Sequence, residues 1–519
     1  MSALAWPWRL LLALVSGVLL ACAFPPIGAS ILAPIAVALL VVATYRTTAP
    51  WGLLLGFVQG LVCFGILLRW MALVGTDAWI LLSIECAAWI GLAGLGQALV
   101  TRLRWWPLWV ACIWVLEEAL RDRIPWGGFT WGRLAFAQTA TTLTPWAAVA
   151  GAPAVTFVTA LAGAVLACIA LTVIARGAEW RRWAAVGVGG LLVLGLSGLL
   201  IPRPTDGQDA GGPPSAVAAV IQGGVPNTGI SATDDRQEVL DNHVTATLAL
   251  AQAAQAGLVE APELVIWPEN SVDFDVFNDP GVATALNASS RAVEAPLLVG
   301  SVIDAPGDPT MIANVGVVWD PATGPGDYYV KRHPVPFGEY IPLRSLIAPL
   351  VGRLDRLPRD MVAGSEPGVL QIGPARSAVV ICFEVSYDEV VRDAVVEGGR
   401  VIVVQTNNAT YAGLGQPEQQ VAMARLRAVE HARAVLVAAT TGVSVVIAPD
   451  GSVVSEIPEG STGYLVNNVP LRDTLTIADR LGPAPEWLLA AIGLVAMVYA
   501  GVRRRPGHPA AVSATEASL

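Results

Sequence analysis

Three residues in the second half of the chain combine a carboxylate, an amine and a thiol, and each follows a short apolar run. Glu269 follows residues 264–268, Lys331 follows a Tyr-Tyr-Val run, and Cys382 follows residues 378–381. Polar side chains at the carboxyl ends of buried strands commonly form the sites of α/β enzymes. A thiolate is a nucleophile, a carboxylate can accept its proton, and an ammonium group can stabilise an oxyanion. The three side chains together predict acyl transfer through Cys382.

Cys382 is the only cysteine in this half of the chain, because the other five lie within apolar runs. There a thiol behaves as a small hydrophobic side chain. With no partner for an intramolecular disulfide in its own half, Cys382 is either an inert core residue or a reactive thiol. Glu269 and Lys331, taken singly, also fit solvated loop positions. Their order along the chain, Glu, Lys and then Cys, favours a functional site.

The composition of the 519 residues is that of a membrane protein, with 54% hydrophobic and 14% charged residues. Long apolar runs occur before residue 201 and again after Trp487, and the composition between them is that of a globular domain. A net charge of -10 argues against a nucleic-acid partner, which needs a basic surface. The sequence has no zinc-type spacing of cysteine and histidine, and we predict no metal and no cofactor.

The apolar runs predict eight membrane spans, since a spanning helix needs roughly 20 mostly apolar residues. The predicted spans are 8–23, 29–45, 51–69, 78–100, 106–120, 147–175, 183–201 and 487–502. The predicted organisation is a seven-span block (1–201), a linker (202–215), a catalytic domain (216–480), an eighth span (487–503) and a tail (504–519).

Positive charge near the span ends predicts the orientation of the chain. One side of the predicted spans carries Arg9, Arg46, Arg102, Arg104, Arg176, Arg181, Arg182 and Arg503 to Arg505. The opposite loops carry less positive charge, although Arg69, Arg121 and Arg123 are exceptions. We therefore predict cytoplasmic termini and an extracytoplasmic catalytic domain. The aromatic and glycine-rich run 125–132 is predicted as a loop on the outer surface, with its tryptophans at headgroup level.

Short apolar runs alternate with helical segments in the soluble part of the chain, which predicts an α/β domain. The predicted strands are 216–222, 263–267, 297–302, 314–319, 378–382, 401–406, 435–439 and 443–447. Helical periodicity covers 236–256 and 419–434. About 270 residues suffice for one large hydrophobic core.

These segments resemble the nitrilase superfamily and, more closely, the apolipoprotein N-acyltransferase family of bacterial membrane enzymes. The likeness covers nearly the whole chain, including the arrangement of seven spans before the domain and one after it. The motifs that carry it are Trp267-Pro268-Glu269, Lys331 with residues 335–340, Cys382-Phe383-Glu384, residues 423–428 and residues 441–444. The resemblance implies a carbon-nitrogen hydrolase domain folded as an αββα sandwich.

The resemblance also implies the reaction and the partners, which are a phospholipid acyl donor, a diacylglyceryl-apolipoprotein and the bilayer of the bacterial cell membrane. Cys382 would take an acyl chain from the phospholipid as a thioester and pass it to the α-amine of the lipidated cysteine. Glu269 would act as the base, and Lys331 would stabilise the oxyanion together with the backbone N–H of Phe383. Glu339 would support Lys331 or help deprotonate the amine, and Glu384 would orient a loop; the alternative for both glutamates is a structural ion pair.

The sequence departs from the family pattern at two places beside the nucleophile. Phe383 stands where the family often has tyrosine, so that any contact of that hydroxyl is lost. Residues 407–411 replace an Asn-Asp-Ala-Trp-Phe-like run and end in Tyr411, which we interpret as a substrate contact. The apolar segment 343–357 is predicted to be a lid on the lipid surface, the alternative being packing against the domain core.

Two other functions fit parts of the sequence. A membrane-anchored amidase of the nitrilase type would use water as the acyl acceptor, but it would not require the family-like membrane block. A structural role, as a transporter or as a scaffold for a polyprenol-phosphate glycosyltransferase, would not require an intact Glu269, Lys331 and Cys382 set.

Overall fold

The computed structural model describes residues 4–203, 214–226 and 235–503. Most of the predicted linker and all of the predicted tail lie outside the described residues. In the part of the chain before residue 203, helices form at each of the seven predicted spans. They are α1 Trp6–Cys22, α2 Leu32–Thr44, α3 Ala49–Leu67, α4 Thr76–Val100, α5 Trp106–Arg121, α6 Ala147–Ala175 and α7 Trp180–Ser197.

Small residues allow α3 and α4 to pack closely, as is usual where helices associate within a membrane. A Cβ atom placed on Gly94 would lie 2.3 Å from the backbone oxygen of Gly52. A Cβ on Gly56 would lie 2.4 Å from the backbone oxygen of Ile90. The two helices therefore touch through their backbones, and larger side chains at these glycines would force them apart.

The catalytic domain contains two six-stranded sheets, with strand orders β12-β1-β2-β3-β4-β5 and β11-β10-β9-β8-β7-β6. The first sheet's strands include β1 Ser215–Gln222, β2 Leu264–Ile266, β3 Leu297–Ala305, β4 Asp308–Asp320 and β5 Gly324–Val330. The second sheet's strands are β6 Val369–Ile372, β7 Ala375–Ile381, β8 Val401–Thr406, β9 Val435–Ala439, β10 Ser444–Ile447 and β11 Val453–Ile457. Strand β12 Gly463–Pro470 completes the first sheet. Strands β1–β2–β3 and β7–β8–β9 pair in parallel.

Helices cover the outer face of each sheet, and the layers form the predicted αββα sandwich. The remaining helices are α8 Arg236–Gln255, α9 Pro280–Val293, α10 Arg344–Ile347, α11 Asp388–Val396, α12 Gln416–His431, α13 Ile477–Leu481 and α14 Ala484–Val502. Alternate strand residues such as Val220 and Val379 fill the core between the sheets. Residues from the other face of the first sheet, such as Ile221, pack with α8 and α9.

The second sheet's helix layer lies against the membrane block, so the two parts share one hydrophobic core. That core joins Val380 of β7 and Leu426 of α12 to Trp131 and Val155 of the membrane block. Five helices of the described residues are long and apolar enough to cross a membrane: α3, α4, α6, α7 and α14. With 17, 13 and 16 residues, α1, α2 and α5 fall short of the roughly 20 needed, and the eight-span topology stays a prediction.

Candidate active site

The turn after β7 presents Cys382 in an unusual backbone conformation. The strand ends at Ile381, and a short 3-10 helix of residues Cys382–Ser386 begins at the cysteine. The φ angle of Cys382 is +55°, in the left-handed region that side chains other than glycine rarely occupy. Such conformations persist only where the surroundings fix them, and they are concentrated at functional sites. The predicted strand 378–382 therefore ends one residue too late, because the cysteine already belongs to the turn, and it begins three residues too late.

Glu384 fixes this turn. The buried carboxylate accepts hydrogen bonds from the backbone N–H of Ile381 at 2.7 Å, of Arg332 at 2.6 Å and of His333 at 3.0 Å. The Tyr329 hydroxyl donates to both of its oxygens, at 2.9 and 3.0 Å. Glu384 thus joins the cysteine turn to the segment that carries Lys331, which is the loop-orienting position that the sequence analysis assigned to it.

Replacing Glu384 by glutamine removes one of the two carboxylate oxygens that accept these backbone hydrogen bonds. The amide NH₂ would face either Ile381 N–H or the N–H groups of Arg332 and His333, and each orphaned buried N–H costs about 1–3 kcal/mol. We expect Glu384→Gln to lower both the unfolding midpoint in detergent and the acyl-transfer rate. Glu389→Gln, at an exposed glutamate on α11, is the matched control. Equal midpoints for the two variants would contradict this role of Glu384.

Lys331 lies between two carboxylates in a buried polar cluster. Its Nζ donates to Glu269 Oε1 at 3.1 Å and to Glu339 Oε1 at 2.9 Å. Asn314 Nδ2 donates to the same two oxygens, at 2.8 and 2.9 Å. The backbone N–H of Asn407 binds the second oxygen of Glu269 at 2.9 Å. The structure thus brings Glu269, Lys331 and Glu339 together, and it adds Asn314, which sequence analysis missed.

The electrostatics of this cluster keep Lys331 charged. Burial by itself lowers the pKa of Lys331, but the carboxylates of Glu269 and Glu339 outweigh burial and hold that pKa well above its ordinary value. The ammonium group is therefore a permanent positive charge over the accessible pH range. It lies close enough to Cys382 that a thiolate there would raise the pKa of Lys331 further.

The Cys382 thiol is protonated at rest. Burial, followed by the negative charge of Glu269, raises its pKa to about 12, and Lys331 and a hydrogen bond with Thr406 only partly oppose this. A thiol of this pKa carries very little thiolate at neutral pH, so that its reaction requires a base at the moment of attack. Glu269 is placed to interact with both Cys382 and Lys331.

The raised pKa predicts how a soluble alkylating reagent reacts with the enzyme in the absence of substrate. We expect the iodoacetamide alkylation rate at Cys382 to rise about tenfold per pH unit from pH 7 to pH 9, because only the thiolate reacts. Mass spectrometry of the Cys382 peptide would follow the reaction, with free cysteine as the reference. A rate that began to level off between pH 8 and pH 9, as for an ordinary thiol of pKa about 8.5, would contradict the raised pKa.

Aromatic rings from the membrane block form a wall beside the cysteine. The Phe383 ring stacks on Trp131 at a centroid distance of 5.6 Å and on Phe129 at 5.7 Å. Trp131 is buried, so the prediction that the tryptophans of run 125–132 lie at headgroup level is wrong for this residue, although Trp126 is half exposed. The run lies against the catalytic domain, where two of its rings stack on Phe383.

The wall continues to Tyr411 and Trp70. Their rings meet edge to face at 4.9 Å. Burial, and then the charge of Cys382, raises the pKa of Tyr411, so that its phenol stays neutral. Gln419 of α12 joins this region to the bundle, since its Oε1 accepts hydrogen bonds from Trp70 Nε1 at 3.2 Å and from Trp131 Nε1 at 2.6 Å. Sequence analysis missed Trp70 and placed Trp131 at the membrane surface, because the positions of both depend on the docking of distant segments.

A buried ionic network links the cysteine turn to α12 and to the membrane block. Arg427 of α12 donates to the backbone oxygens of Val385 at 2.8 Å and Ser386 at 2.7 Å. Its guanidinium also pairs with Asp388 at 2.7 Å, and Asp388 pairs in turn with Arg133 of the membrane block at 2.8 Å. Sequence analysis did not single out Arg427, but it did identify the 423–428 motif in which this arginine lies.

The predicted lid, residues 343–357, forms α10 and further short helical turns. Leu343, Leu346 and Leu350 are 61%, 66% and 81% exposed, so the alternative that the segment packs into the domain core is wrong for these side chains. Arg353 pairs with Asp77 at the start of α4 at 2.5 Å. The segment therefore extends over the end of the membrane block nearest the active site.

Side chains that could hold a metal ion are not clustered in residues 4–203, 214–226 and 235–503. Around Cys382 the two carboxylates, Glu269 and Glu339, are both engaged by Lys331 and Asn314. The chemistry that these side chains can supply is that of a thiol, its base and a fixed positive charge.

Comparison with known proteins gives the family. The chain matches the profile of the apolipoprotein N-acyltransferase N-terminal domain over residues 16–165 and that of carbon-nitrogen hydrolases over residues 217–478. An apolipoprotein N-acyltransferase of Mycolicibacterium smegmatis is 36% identical to it, with 94% of this chain and 84% of the relative covered. The chain belongs to the apolipoprotein N-acyltransferase family. It is a membrane-bound acyltransferase of the carbon-nitrogen hydrolase superfamily, as that family implies.

A second relative and a solved structure are less similar to this chain. The apolipoprotein N-acyltransferase of Geobacter metallireducens is 29% identical, with 96% of each chain covered. Among solved structures, an amidase of the nitrilase superfamily from Nesterenkonia AN1 is 19% identical at a TM-score of 0.39, with 55% of this chain and 97% of the amidase covered. The two profile matches and the Mycolicibacterium relative confirm the family resemblance that was inferred from the sequence motifs.

Proposed function

We propose that this enzyme transfers an acyl chain from a membrane phospholipid to the α-amine of an S-diacylglyceryl-cysteine, through a thioester on Cys382. The observation that carries the proposal is the placement of Cys382 on a constrained turn beside a buried Glu269–Lys331–Glu339 cluster, against aromatic rings of the membrane block. Family membership supports the choice of lipid and lipoprotein substrates.

The first half-reaction acylates the enzyme. Glu269 takes the Cys382 proton while the sulfur attacks the ester carbonyl, and Lys331 with the Phe383 N–H stabilises the tetrahedral oxyanion. The ester C–O bond then breaks, the leaving lysophospholipid alkoxide takes the proton from Glu269, and the thioester remains. The raised thiol pKa makes proton transfer to Glu269 necessary at this step.

The second half-reaction transfers the acyl chain to the amine. The neutral α-amine attacks the thioester carbonyl, Glu269 accepts the amine proton, and the same donors stabilise the second oxyanion. The C–S bond breaks, and the thiolate recovers the proton from Glu269. Glu339 holds Lys331 in place and can assist in deprotonating the amine, while Tyr411 and Phe383 line the path of the acyl chain.

The lid explains how two amphiphilic substrates reach a site in the folded domain. Extracting a lipid chain from the bilayer costs about 0.8 kcal/mol per CH₂ group, so the site must open at the membrane surface. The exposed leucines of residues 343–357 would rest on that surface. The predicted orientation, with the domain outside the cell membrane and both termini in the cytoplasm, agrees with this placement.

Polar substitution of the lid should weaken the use of lipid substrates. We expect Leu346→Gln with Leu350→Gln to lower kcat/KM for phospholipid in vesicles about tenfold, because each leucine loses part of the roughly 1.5–3 kcal/mol gained on burial. The alkylation rate of Cys382 should not change. Leu258→Gln with Phe277→Gln, two exposed apolar residues of the domain, serves as the control. Unchanged lipid kinetics in the lid variant would remove the lid from the proposal.

The choice between transferase and amidase rests on the acyl acceptor. The purified enzyme is incubated with acyl-labelled phospholipid and a diacylglyceryl-cysteinyl peptide whose α-amine is free, and the same peptide with an acetylated amine is the control. We expect label on the free-amine peptide and none on the acetylated peptide. Release of the label mainly as free fatty acid in both reactions would overturn the proposal and favour the amidase. A scaffold role for a polyprenol-phosphate glycosyltransferase stays a prediction from the sequence.

A further inference from the structure

A cavity lies at the end of the helical bundle that is remote from the catalytic domain. Its volume is about 520 Å³, within the range of small-molecule sites. It is formed where α2 and α6 end and where α5 and α7 begin. The opposite ends of these helices face the catalytic domain, as shown by the Gln419 bond to Pro25 before α2 and the Glu430 bond to Ala152 near the start of α6. The cavity is therefore remote from Cys382.

The walls of this cavity combine apolar and aromatic side chains. Leu171, Cys168 and Ala175 of α6 provide the apolar part. The aromatic part comes from Tyr45, Trp106, Trp180 and Trp183. The Tyr45 and Trp106 rings lie 6.0 Å apart. Tyrosine and tryptophan are enriched where a membrane meets water, which places this cavity at the level of the lipid headgroups.

Arginines surround the aromatic rim. The guanidinium of Arg46 lies 5.4 Å from the Tyr45 ring, that of Arg181 5.5 Å from Trp180, and that of Arg182 6.0 Å from Trp183. Arg176 lies between two lining residues, Ala175 and Gly177. Glu179 is the one acidic residue among the lining residues, and Arg182 already pairs with it at 3.8 Å. The rim therefore carries an excess of positive charge.

We propose that this cavity binds one anionic phospholipid, with its phosphate among Arg46, Arg176 and Arg181 and its acyl chains against α6 and α7. Basic pockets between membrane helices on the cytoplasmic side have the charge that anionic headgroups require, and this end of the bundle is the one predicted to be cytoplasmic. The lipid would also support α7, which has no buried residue of its own and packs mainly against α6.

Native mass spectrometry of the detergent-solubilised protein tests this site. Phosphatidylglycerol and phosphatidylcholine are titrated separately into wild type, the variant Arg46→Gln/Arg176→Gln/Arg181→Gln, and a control. The control, Arg291→Gln/Arg359→Gln/Arg376→Gln, removes the same charge from exposed sites on the catalytic domain.

We expect one phosphatidylglycerol to bind wild type and the control at least about tenfold more tightly than phosphatidylcholine, since each of the three arginines contributes about fivefold near an anionic lipid. The cavity variant should lose this preference while still binding lipid at the active site. Equal binding of the two lipids by wild type would overturn the proposal. The proposal would also be overturned if the cavity variant kept the preference for phosphatidylglycerol, or if the control lost that preference to the same extent.

Discussion

Glu269→Gln should lower the acyl-transfer rate on the order of 10³-fold, because the variant lacks the base that takes the thiol proton. The same change should make the resting thiol more reactive. The charge of Glu269 helps to raise the pKa of Cys382, whereas Lys331 lowers that pKa and remains in place. Removing the carboxylate charge therefore moves the thiol pKa downward from about 12. Transfer and alkylation should change in opposite directions.

Two measurements on one preparation check this prediction. The transfer rate is measured with labelled phospholipid, and the pH profile of iodoacetamide alkylation gives the thiol pKa. Glu260→Gln, at an exposed glutamate of the same domain, controls for the loss of one charge. If Glu269→Gln slowed transfer and alkylation alike, the glutamate would act by holding the structure rather than as a base.

The positions of the candidate site residues could be predicted from the sequence because short apolar runs and family motifs mark them. Cys382 follows β7 and Glu269 comes shortly after β2, two apolar strands that the sequence predicted. Lys331 follows β5, which was not predicted, so only its short Tyr-Tyr-Val run and the family motif marked this lysine. Glu384 was assigned to orient a loop, and in the structure it accepts hydrogen bonds from both segments that it joins. Local pattern and motif sufficed for these residues.

The strands that the sequence analysis missed lie at the edges of the sheets. Among the described residues, β5, β6, β11 and β12 occupy the four edge positions and have no predicted counterpart. An edge strand has a partner on one side only and tolerates exposed, polar or proline residues, so it lacks a continuous run of valine and isoleucine. The sequence of β5, Gly324–Val330, contains two glycines and a proline and illustrates the difficulty.

The contacts between the membrane block and the catalytic domain could not be predicted, since they join residues far apart in the chain. Trp131 and Gln419 are separated by 288 positions, and a tryptophan in a glycine-rich loop fits the membrane surface equally well by composition. Only the fold shows that the loop turns inward to stack on Phe383. The aromatic wall of the candidate site therefore depends on the docking of the two parts.

Cys382→Ala should abolish acyl transfer and the acyl-enzyme together. The sulfur is the atom that carries the acyl chain between the two substrates, and no other described cysteine lies in the catalytic domain. Without it, neither half-reaction can occur by this route, and we expect the residual rate to fall to the uncatalysed background. Cys22→Ala, in the membrane block, is the matched control and should retain activity.

Trapping the acyl-enzyme tests the role of Cys382 most directly. The purified enzyme is incubated with acyl-labelled phospholipid in the absence of any amine acceptor, and the protein is then digested and treated with neutral hydroxylamine. We predict a hydroxylamine-labile label on the Cys382 peptide of wild type and of Cys22→Ala, and none on Cys382→Ala. No label on wild type, or a label that persists in Cys382→Ala, would contradict the thioester mechanism.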